Sequence, residues 1–445
     1  MDTNIFKAYD IRGIYPDEFN KNTAYKLGRA FATFVTAPEI IVGQDMRGSG
    51  PELVEHFARG ITDEGKKAIL LGEVSTDTLY FASGKLNLPG SMFTASHNPA
   101  KYNGIKFCNA GAAPISEDTG LNEIQKLVLD NKWTEPEKKG EIKNQDILND
   151  YIEHCLSFID VKKISKLKIV VDAGNGMAGK IVPLISKKIP CEIIPLYFEL
   201  DGSFPNHEAN PIKPENVQDL IAEVKKNKAD LGLAFDGDAD RVFFIDEKGN
   251  RISSSLITAM ISEQILKKNP GEKIIYNVPC SKIVPEIITK NGGKAILERV
   301  GHSFIKETMK KTGAIFGGEH SGHYYFQNNF RADSGLIASL IVLEILSELN
   351  QPFSNILQPY QKYFSIEETN SEVQDKEGKL KELKTKYSDA KISELDGLTF
   401  EYPDFWFNVR PSNTEPTLRL NLEADTLELR DQKSDEILKL IRDEN

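Results

Sequence analysis

Short β-branched runs alternate with amphipathic segments along most of this chain, and that rhythm confines it to α/β architectures. EIIVG (39–43) is followed by PELVEHFARGITDEG (51–65) and then by KAILLG (67–72). The outer two have the length and composition of strands and the middle one the spacing of a helix. Strand, helix and strand in that order are the building blocks of parallel sheets. After a charged stretch from Asn131 to Asn149, which reads as a linker, the order returns. KLKIVVDAGNG (166–176) is a strand ending in a glycine turn, GMAGKIVPLISKKI (176–189) a helix and LGLAFD (231–236) another strand. It returns once more in SSLITAMISEQILKK (254–268), EKIIYNV (272–278), SKIVPEIITKNG (281–292), KAILERV (294–300) and HSFIKETMKK (302–311). The three units share no visible identity, so the rhythm alone predicts a structural repeat. After about Ser365 the pattern changes to a charged helix (373–386), the alternating run LRLNLEA (418–424) and a terminal amphipathic helix (427–442), which together read as a small α+β domain.

At 445 residues the chain is too long for a single core and has room for roughly three or four domains. A cleft enzyme fits that size. The formal net charge of −11, with no basic tract to offset it, argues against nucleic acid or an anionic membrane surface as a partner. A phosphate ligand stays compatible where arginines and lysines converge locally. Cys108, Cys155, Cys191 and Cys280 have no CxxC spacing, which suits reduced, buried thiols and not a disulfide frame or zinc site. The opening MDTNIFKAYDIRG lacks a basic region followed by an apolar run, and the longest apolar stretch, Leu336 to Leu346, is too short to span a bilayer. A cytoplasmic protein is expected.

Four segments carry chemistry. In TASHNP (94–99), followed by YNGIKF (102–107), Ser96 sits among small and turn-forming residues, on what reads as an exposed loop, with His97, Asn98 and Lys106 nearby as polar contacts. The alternative is an Asn-Pro turn with a capping serine. In FDGDADR (235–241), Asp236, Asp238 and Asp240 would share one face of a strand or wrap one ion in a loop, and oxygen-only ligands suit Mg²⁺ or Mn²⁺. These three with Glu247 also match positions 1, 3, 5 and 12 of an EF-hand, but Arg241 stands where that loop needs glycine and the flanks are strand-like. A solvated acidic turn is the ordinary reading of such a segment. GGEHSGHYYF (317–326) offers Glu319, Ser321 and His323 as partners for hydroxyls, although a glycine-rich strand end is common. In RPSNTEPTLR (410–419), Arg410, Ser412, Asn413 and Thr414 form a compact donor set, either an anion-binding nest or a polar hairpin loop.

TASHNP, DGDADR, GEHSGH and RPSNTEP, in that order and at those separations, resemble the four signature loops of the α-D-phosphohexomutase family, most closely its phosphomannomutase/phosphoglucomutase branch. YDIRG (9–13), VVDAGNGMAG (170–179), DGSFPNHEANP (201–211) and VGHSFIK (300–306) extend the resemblance over the whole chain. The resemblance implies three related mixed α/β domains and a smaller C-terminal α+β domain around a central cleft, here 1–146, 147–247, 248–360 and 361–445. Each gives one loop to the site. By the same resemblance Ser96 is the phosphoserine, and Asp236, Asp238 and Asp240 hold one Mg²⁺ per subunit together with a Ser96 phosphate oxygen. Glu319 to Ser321 form the sugar loop, Arg410 to Thr414 grip the distal phosphate, and Tyr9, Arg12, His97, Lys106, Arg241 and His302 line the cleft. One departure is Ser75-Thr76-Asp77, where the family usually has Pro-Thr-Pro; it bears on the stiffness of that turn and leaves the chemistry untouched.

The implied reaction interconverts hexose 1-phosphate and hexose 6-phosphate, of mannose, glucose or both. A phosphorylated Ser96 gives a hexose 1,6-bisphosphate, which also serves as activator and must turn over before its other phosphate meets the serine. Lys106 or His323 would act as base and acid, an assignment that needs geometry. The partners expected are hexose phosphates, and the chain a monomer or homodimer. A phosphoglucosamine mutase would share most of these loops, but His320 between Glu319 and Ser321 fits the hexose branch better than glutamine would. Outside the reaction class stand a metal-dependent phosphosugar phosphatase and a phosphosugar-binding protein.

Overall fold

The computed structural model describes residues 3–133, 135–412 and 417–442. The chain divides into two compact units, Met1–Ser253 with Ser321–Ile356, and Ser254–His320 with Leu357–Asn445.

The first unit contains two mixed sheets. Strands β1 (Ile11–Ile14), β2 (Glu39–Gln44), β3 (Lys67–Glu73), β4 (Gly90–Phe93), β5 (Tyr102–Asn109), β6 (Ala113–Pro114) and β7 (Ile142–Asn144) make a sheet in the order β1-β5-β4-β2-β3-β7, with β6 on β5. Its heart is a parallel triad in which β2 lies between β4 and β3. Helices α1 (Lys21–Phe34), α2 (Gly50–Asp63) and α3 (Thr76–Leu86) alternate with these strands. β2 is buried from Ile40 to Gln44 and β4 throughout, and such near-continuous burial is what a parallel strand covered on both faces requires. The second sheet joins β8 (Lys168–Asp172), β9 (Glu192–Leu196), β10 (Leu231–Phe235), β11 (Val242–Asp246) and β12 (Arg251–Ile252) in the order β12-β11-β10-β8-β9. Here β8 lies between β10 and β9, again in parallel.

In the second unit β13 (Lys273–Asn277) lies in parallel between β14 (Lys294–Glu298) and β15 (Phe316–Gly318). The repeat predicted from rhythm is therefore a repeat of topology: in each sheet the third strand of a triad returns to the far side of the first. The signature segments fall at the same place each time, TASHNP after β4, DGDADR after β10 and GEHSGH after β15. In α/β sheets that crevice, at the carboxyl ends of strands where the order reverses, is where ligands bind. The fourth segment joins the antiparallel strands Phe405–Pro411 and Thr417–Ala424 of a C-terminal sheet.

One expectation needs correction. The stretch read as a linker carries β7, paired in parallel with β3. It is anchored further by an ion pair from Lys139 to Asp63 (2.7 Å) and by Gly140 N–H donating to Thr62 O (2.8 Å). All three residues of β7 are exposed, so an edge strand of this kind leaves no apolar signature to read. Among the described residues no single helix is long and apolar enough to cross a membrane. The apolar helix Gly335–Leu349 is buried from Gly335 to Leu346.

Helices α1 and α2 touch through glycines. A Cβ built on Gly28 would stand 2.1 Å from Phe57 O, and one on Gly60 would stand 2.3 Å from Tyr25 O. The obstacle is backbone on both sides, so no side chain can swing away. Gly28→Ala is expected to destabilise the protein, because overpacking of about 1–3 kcal/mol exceeds the roughly 1 kcal/mol that alanine gains over glycine in a helix. A urea melt checks this; a more stable variant would show that the two helices have room to part.

Candidate active site

β10 is buried on both faces and ends at Phe235, and DGDADR turns the chain back into antiparallel β11. The side chains of this turn point inward: Asp236 and Asp238 are 0 % exposed and Asp240 1 %. It is therefore not a solvated acidic turn, and strands on both sides exclude an EF-hand, which needs helices. The three residues present carboxylate oxygens all within 4.8 Å of one another. Anions so close in a poorly solvated interior require cations. Lys106 on β5 donates to Asp238 Oδ2 (2.8 Å) and Asp240 Oδ2 (2.7 Å). Arg241 donates through Nε to Asp236 Oδ2 (2.9 Å) and through its backbone N–H to Asp236 Oδ1 (3.2 Å).

The charges are shared unequally. Burial pushes the Asp236 carboxyl up to about 7, with Arg241 pulling against it. Burial also raises Asp238, but Lys106 overrides it and holds that carboxyl well below its usual range. For Lys106, burial opposes the charge, and Asp238 and Asp240 keep the ammonium well above its ordinary value.

Oδ1 of Asp238 and Oδ1 of Asp240 are buried and accept no hydrogen bond among the described residues. Buried polar atoms without a partner are rare. Two of them within a cluster of anionic oxygens suit a hard divalent cation. Asp240, His323 and Asp333 also converge. There His323 Nδ1 lies 2.7 Å from Asp333 Oδ2 and 3.9 Å from Asp240 Oδ1, the arrangement of an imidazole oriented by a carboxylate.

The serine loop packs against this turn. Ser96 is only 5 % exposed, contrary to the exposed loop expected. Its Oγ donates to Asp236 Oδ2 (2.8 Å) and lies 3.2 Å from His97 Nδ1. Its backbone is left-handed, φ 48°, a conformation that costs a side-chain-bearing residue roughly 1–2 kcal/mol. A Cβ on Gly237 would come within 2.6 Å of Ser96 O, so glycine there lets the two loops meet.

What holds the loop is Arg47, 1 % exposed. Its guanidinium donates to the carbonyls of Ser96 (2.9 Å), Asn98 (2.7 Å), Pro99 (3.0 Å) and Tyr102 (2.9 Å), and its Nε to Asp45 Oδ2 (3.3 Å). Phe204 stacks on it, 5.1 Å from ring centre to Cζ. Burial, reinforced by Arg241 and Arg12, pushes His97 well below its ordinary value, so this imidazole is neutral. Arg12 on β1 donates to Asn98 Oδ1 and Asp10 Oδ2. Its Nε, like Nη2 of Arg241, is buried without an acceptor among the described residues, which suits an anion such as phosphate. Tyr9 is half-buried just ahead of β1. The structure thus brings together Ser96, His97, Lys106, Asp236, Asp238, Asp240, Arg241 and His323, with Arg12 attached through Asn98.

In the second unit Glu319 follows β15 and is 2 % exposed. Its Oε1 accepts from Asn277 Nδ2 (3.2 Å) and from Gly301 N–H (3.1 Å), just before His302 at the start of helix His302–Thr312. Ser321 and His323 belong to the first unit. Arg410 is buried on its strand and paired in register with Arg419. Glu368 accepts from Arg410 Nη2 (2.9 Å), Arg419 Nη1 (3.4 Å) and Asn421 Nδ2 (3.0 Å). Arg419 Nη2 reaches Ser412 Oγ at 3.4 Å. Two guanidiniums around one carboxylate leave a net positive site, and Nε of Arg410 and of Arg419 is buried without an acceptor among the described residues. Asn413 and Thr414 lie outside the described residues.

Arg47, Thr76, Asp333, Glu368 and Arg419 join these groups without having been expected from the sequence. DMR in GQDMRGSG (43–50), an acid and a base two apart at a strand end, is the one signal that could have pointed to Arg47. The turn at 75–77 carries Thr76, whose Oγ1 donates to Asp238 Oδ2 at 2.6 Å.

The chain matches the phosphoglucomutase/phosphomannomutase family along its length: alpha/beta/alpha domain I over residues 3–135, domain II over 149–249, domain III over 248–363 and the C-terminal domain over 368–440. It is 38 % identical to a phosphomannomutase of Escherichia coli over 451 aligned residues, covering 98 % of this chain and 99 % of the relative. It is 40 % identical to a phosphomannomutase/phosphoglucomutase of Pseudomonas syringae over 431, covering 95 % and 91 %. Among solved structures, a phosphoglucomutase/phosphomannomutase family protein from Burkholderia thailandensis superposes with a TM-score of 0.89 at 33 % identity, over 99 % of this chain and 98 % of that one.

Arg47 serves five acceptors, whereas lysine keeps the charge but brings only three donors on one nitrogen. Arg47→Lys is expected to lower the unfolding free energy by roughly 3 kcal/mol through acceptors left unpaired, as a urea titration will read. A loss under about 1 kcal/mol would mean that the loop is held by something else.

Proposed function

The chain belongs to the phosphoglucomutase/phosphomannomutase family, and from that premise we propose that it interconverts hexose 1-phosphates and hexose 6-phosphates of mannose, glucose or both. Ser96 is the phosphoryl carrier. The observation that carries this reading is the Ser96 hydroxyl donating to Asp236 inside a buried cluster of three carboxylates. Asp236, Asp238 and Asp240 hold one Mg²⁺ per subunit, the two unpartnered Oδ1 atoms supporting that assignment. When bound, the cation neutralises charge on the phosphoryl oxygens.

The phosphoryl group passes from Ser96 Oγ to a sugar hydroxyl: the Oγ–P bond breaks, a sugar O–P bond forms, and the hydroxyl proton leaves to a base. Lys106, an ammonium hydrogen-bonded to Asp238 and Asp240, gives a proton to the departing Ser96 Oγ, and His323, oriented by Asp333, takes the proton of the sugar hydroxyl. The resulting hexose 1,6-bisphosphate, which is also the activator, turns over and returns its other phosphate to Ser96. Arg12 and Arg241, each with a buried nitrogen lacking an acceptor, receive the phosphate near the serine. Arg410, with Ser412, Asn413 and Thr414, receives the distal one. Tyr9, His97 and His302 complete the lining, and Glu319 with Ser321 reads the sugar hydroxyls. The four segments 1–146, 147–247, 248–360 and 361–445 are the domains that supply these loops. The enzyme works in the cytoplasm as a monomer or homodimer.

Ser96→Ala removes the carrier and should abolish turnover of mannose 1-phosphate and glucose 1-phosphate. Intact-mass spectrometry should show a phosphate on the wild type and none on the variant. Substantial activity in the variant would end the phosphoserine reading.

The sugar preference follows from which hydroxyls are read. Glucose and mannose share their 3- and 4-hydroxyl configurations, so both are expected to be substrates. Galactose inverts carbon 4 and leaves the buried Glu319 carboxylate short of a charged hydrogen bond, about 1.5–3 kcal/mol, or a roughly ten- to hundred-fold lower kcat/KM. Glu319→Ala should narrow the gap by slowing glucose and mannose. Equal turnover of galactose 1-phosphate by the wild type would refute the role of Glu319.

A further inference from the structure

Asp77 is a wholly buried carboxylate in the first turn of α3 that the mechanism above does not use. It accepts hydrogen bonds from three hydroxyls: Ser75 on Oδ1, and Tyr151 and Ser334 on Oδ2, the last at 2.7 Å. Burial pushes its carboxyl up to about 7, and the three hydroxyls pull against that. Tyr151 lies on helix Leu148–Leu156, and Ser334 caps helix Gly335–Leu349 through Ile337 N–H (3.2 Å). Two helices distant in sequence are thus pinned to one carboxylate at the start of α3. Ser75 and Asp77 flank Thr76, whose side chain and backbone both engage the acidic turn. Its Oγ1 donates to Asp238 Oδ2 (2.6 Å) and its N–H to Asp238 O (3.1 Å). Between Thr76 and Lys106 the Oδ2 atom of Asp238 is fully engaged, which leaves Oδ1 as the oxygen for a cation.

We propose that Thr76 and Asp77 are positioning residues for the metal site: Asp77 fixes the turn from which Thr76 orients the Asp238 carboxylate. The inference rests on the assignment of Asp236, Asp238 and Asp240 as a Mg²⁺ site. Groups that orient a metal ligand typically change affinity by about ten- to a hundred-fold when removed. A purely structural role for the Asp77 cluster would instead lower the thermal midpoint and leave cation affinity alone.

The test is Mg²⁺ binding by titration calorimetry, independent of turnover, on the full-length wild type, Thr76→Val, Thr76→Ser, Asp77→Asn and the double variant Thr76→Val/Asp77→Asn. Intact mass keeps the phosphoserine content of each sample matched. Thr76→Val should bind Mg²⁺ about ten-fold more weakly, and Thr76→Ser, which retains the hydroxyl, should restore wild-type affinity. Asp77→Asn should weaken binding several-fold, with little added loss in the double variant, because residues acting through one path are not additive. If Asp77→Asn does not fold, the valine and serine variants decide the matter. Wild-type affinity in Thr76→Val, or independent losses in the double variant, overturns the proposal while leaving the metal site intact. No Mg²⁺ binding by the wild type overturns the metal assignment and this inference with it.

Discussion

Three carboxylates buried on one short turn are the constraint around which the first unit is organised. Placed so close, Asp236, Asp238 and Asp240 cannot all stay charged without compensation. The unit supplies it from near and far in sequence: Arg241 from the turn itself, Lys106 from β5 and the Thr76 hydroxyl from the start of α3. Ser96 enters the same cluster through Asp236. The Ser96 hydroxyl is therefore positioned by the same electrostatics that make the acidic turn tolerable. Buried networks of this kind specify one arrangement because the alternative is an unpaired charge.

The three parallel triads present different loops at the same place in the topology. Each triad sends its third strand to the far side of the first, and the crevice formed there receives a different group each time. A hydroxyl stands after β4, carboxylates after β10 and a glutamate after β15. The scaffold repeats while the chemistry diversifies. Function resides in the short segments placed on the scaffold, and the scaffold by itself implies none of it.

How much of this can be read from the chain depends on where the physical information is stored. The four loops are legible because each packs its chemistry into a few adjacent residues. Two strands of each triad are legible as β-branched or apolar runs, whereas the short β4 and the half-exposed β9 are not. β7 is not, since an edge strand exposed on both faces has no pattern to reveal. Arg47 and Asp77 are hidden for a different reason. Their meaning lies wholly in partners distant in sequence, four backbone carbonyls for the first and Tyr151 and Ser334 for the second. A charged residue next to a strand end looks like surface until the fold closes over it. The burial of the serine loop escapes the sequence on the same ground.

Ser96 holds a left-handed backbone with Arg47 on its carbonyl and the Thr94 hydroxyl on its N–H (2.8 Å). That geometry limits which residues evolution can try at the position. Threonine offers the same hydroxyl, but its branched β-carbon disfavours positive φ, and the two loops lie close enough that a Cβ on Gly237 would come within 2.6 Å of Ser96 O. Conformational permission as much as chemistry therefore selects an unbranched side chain at 96.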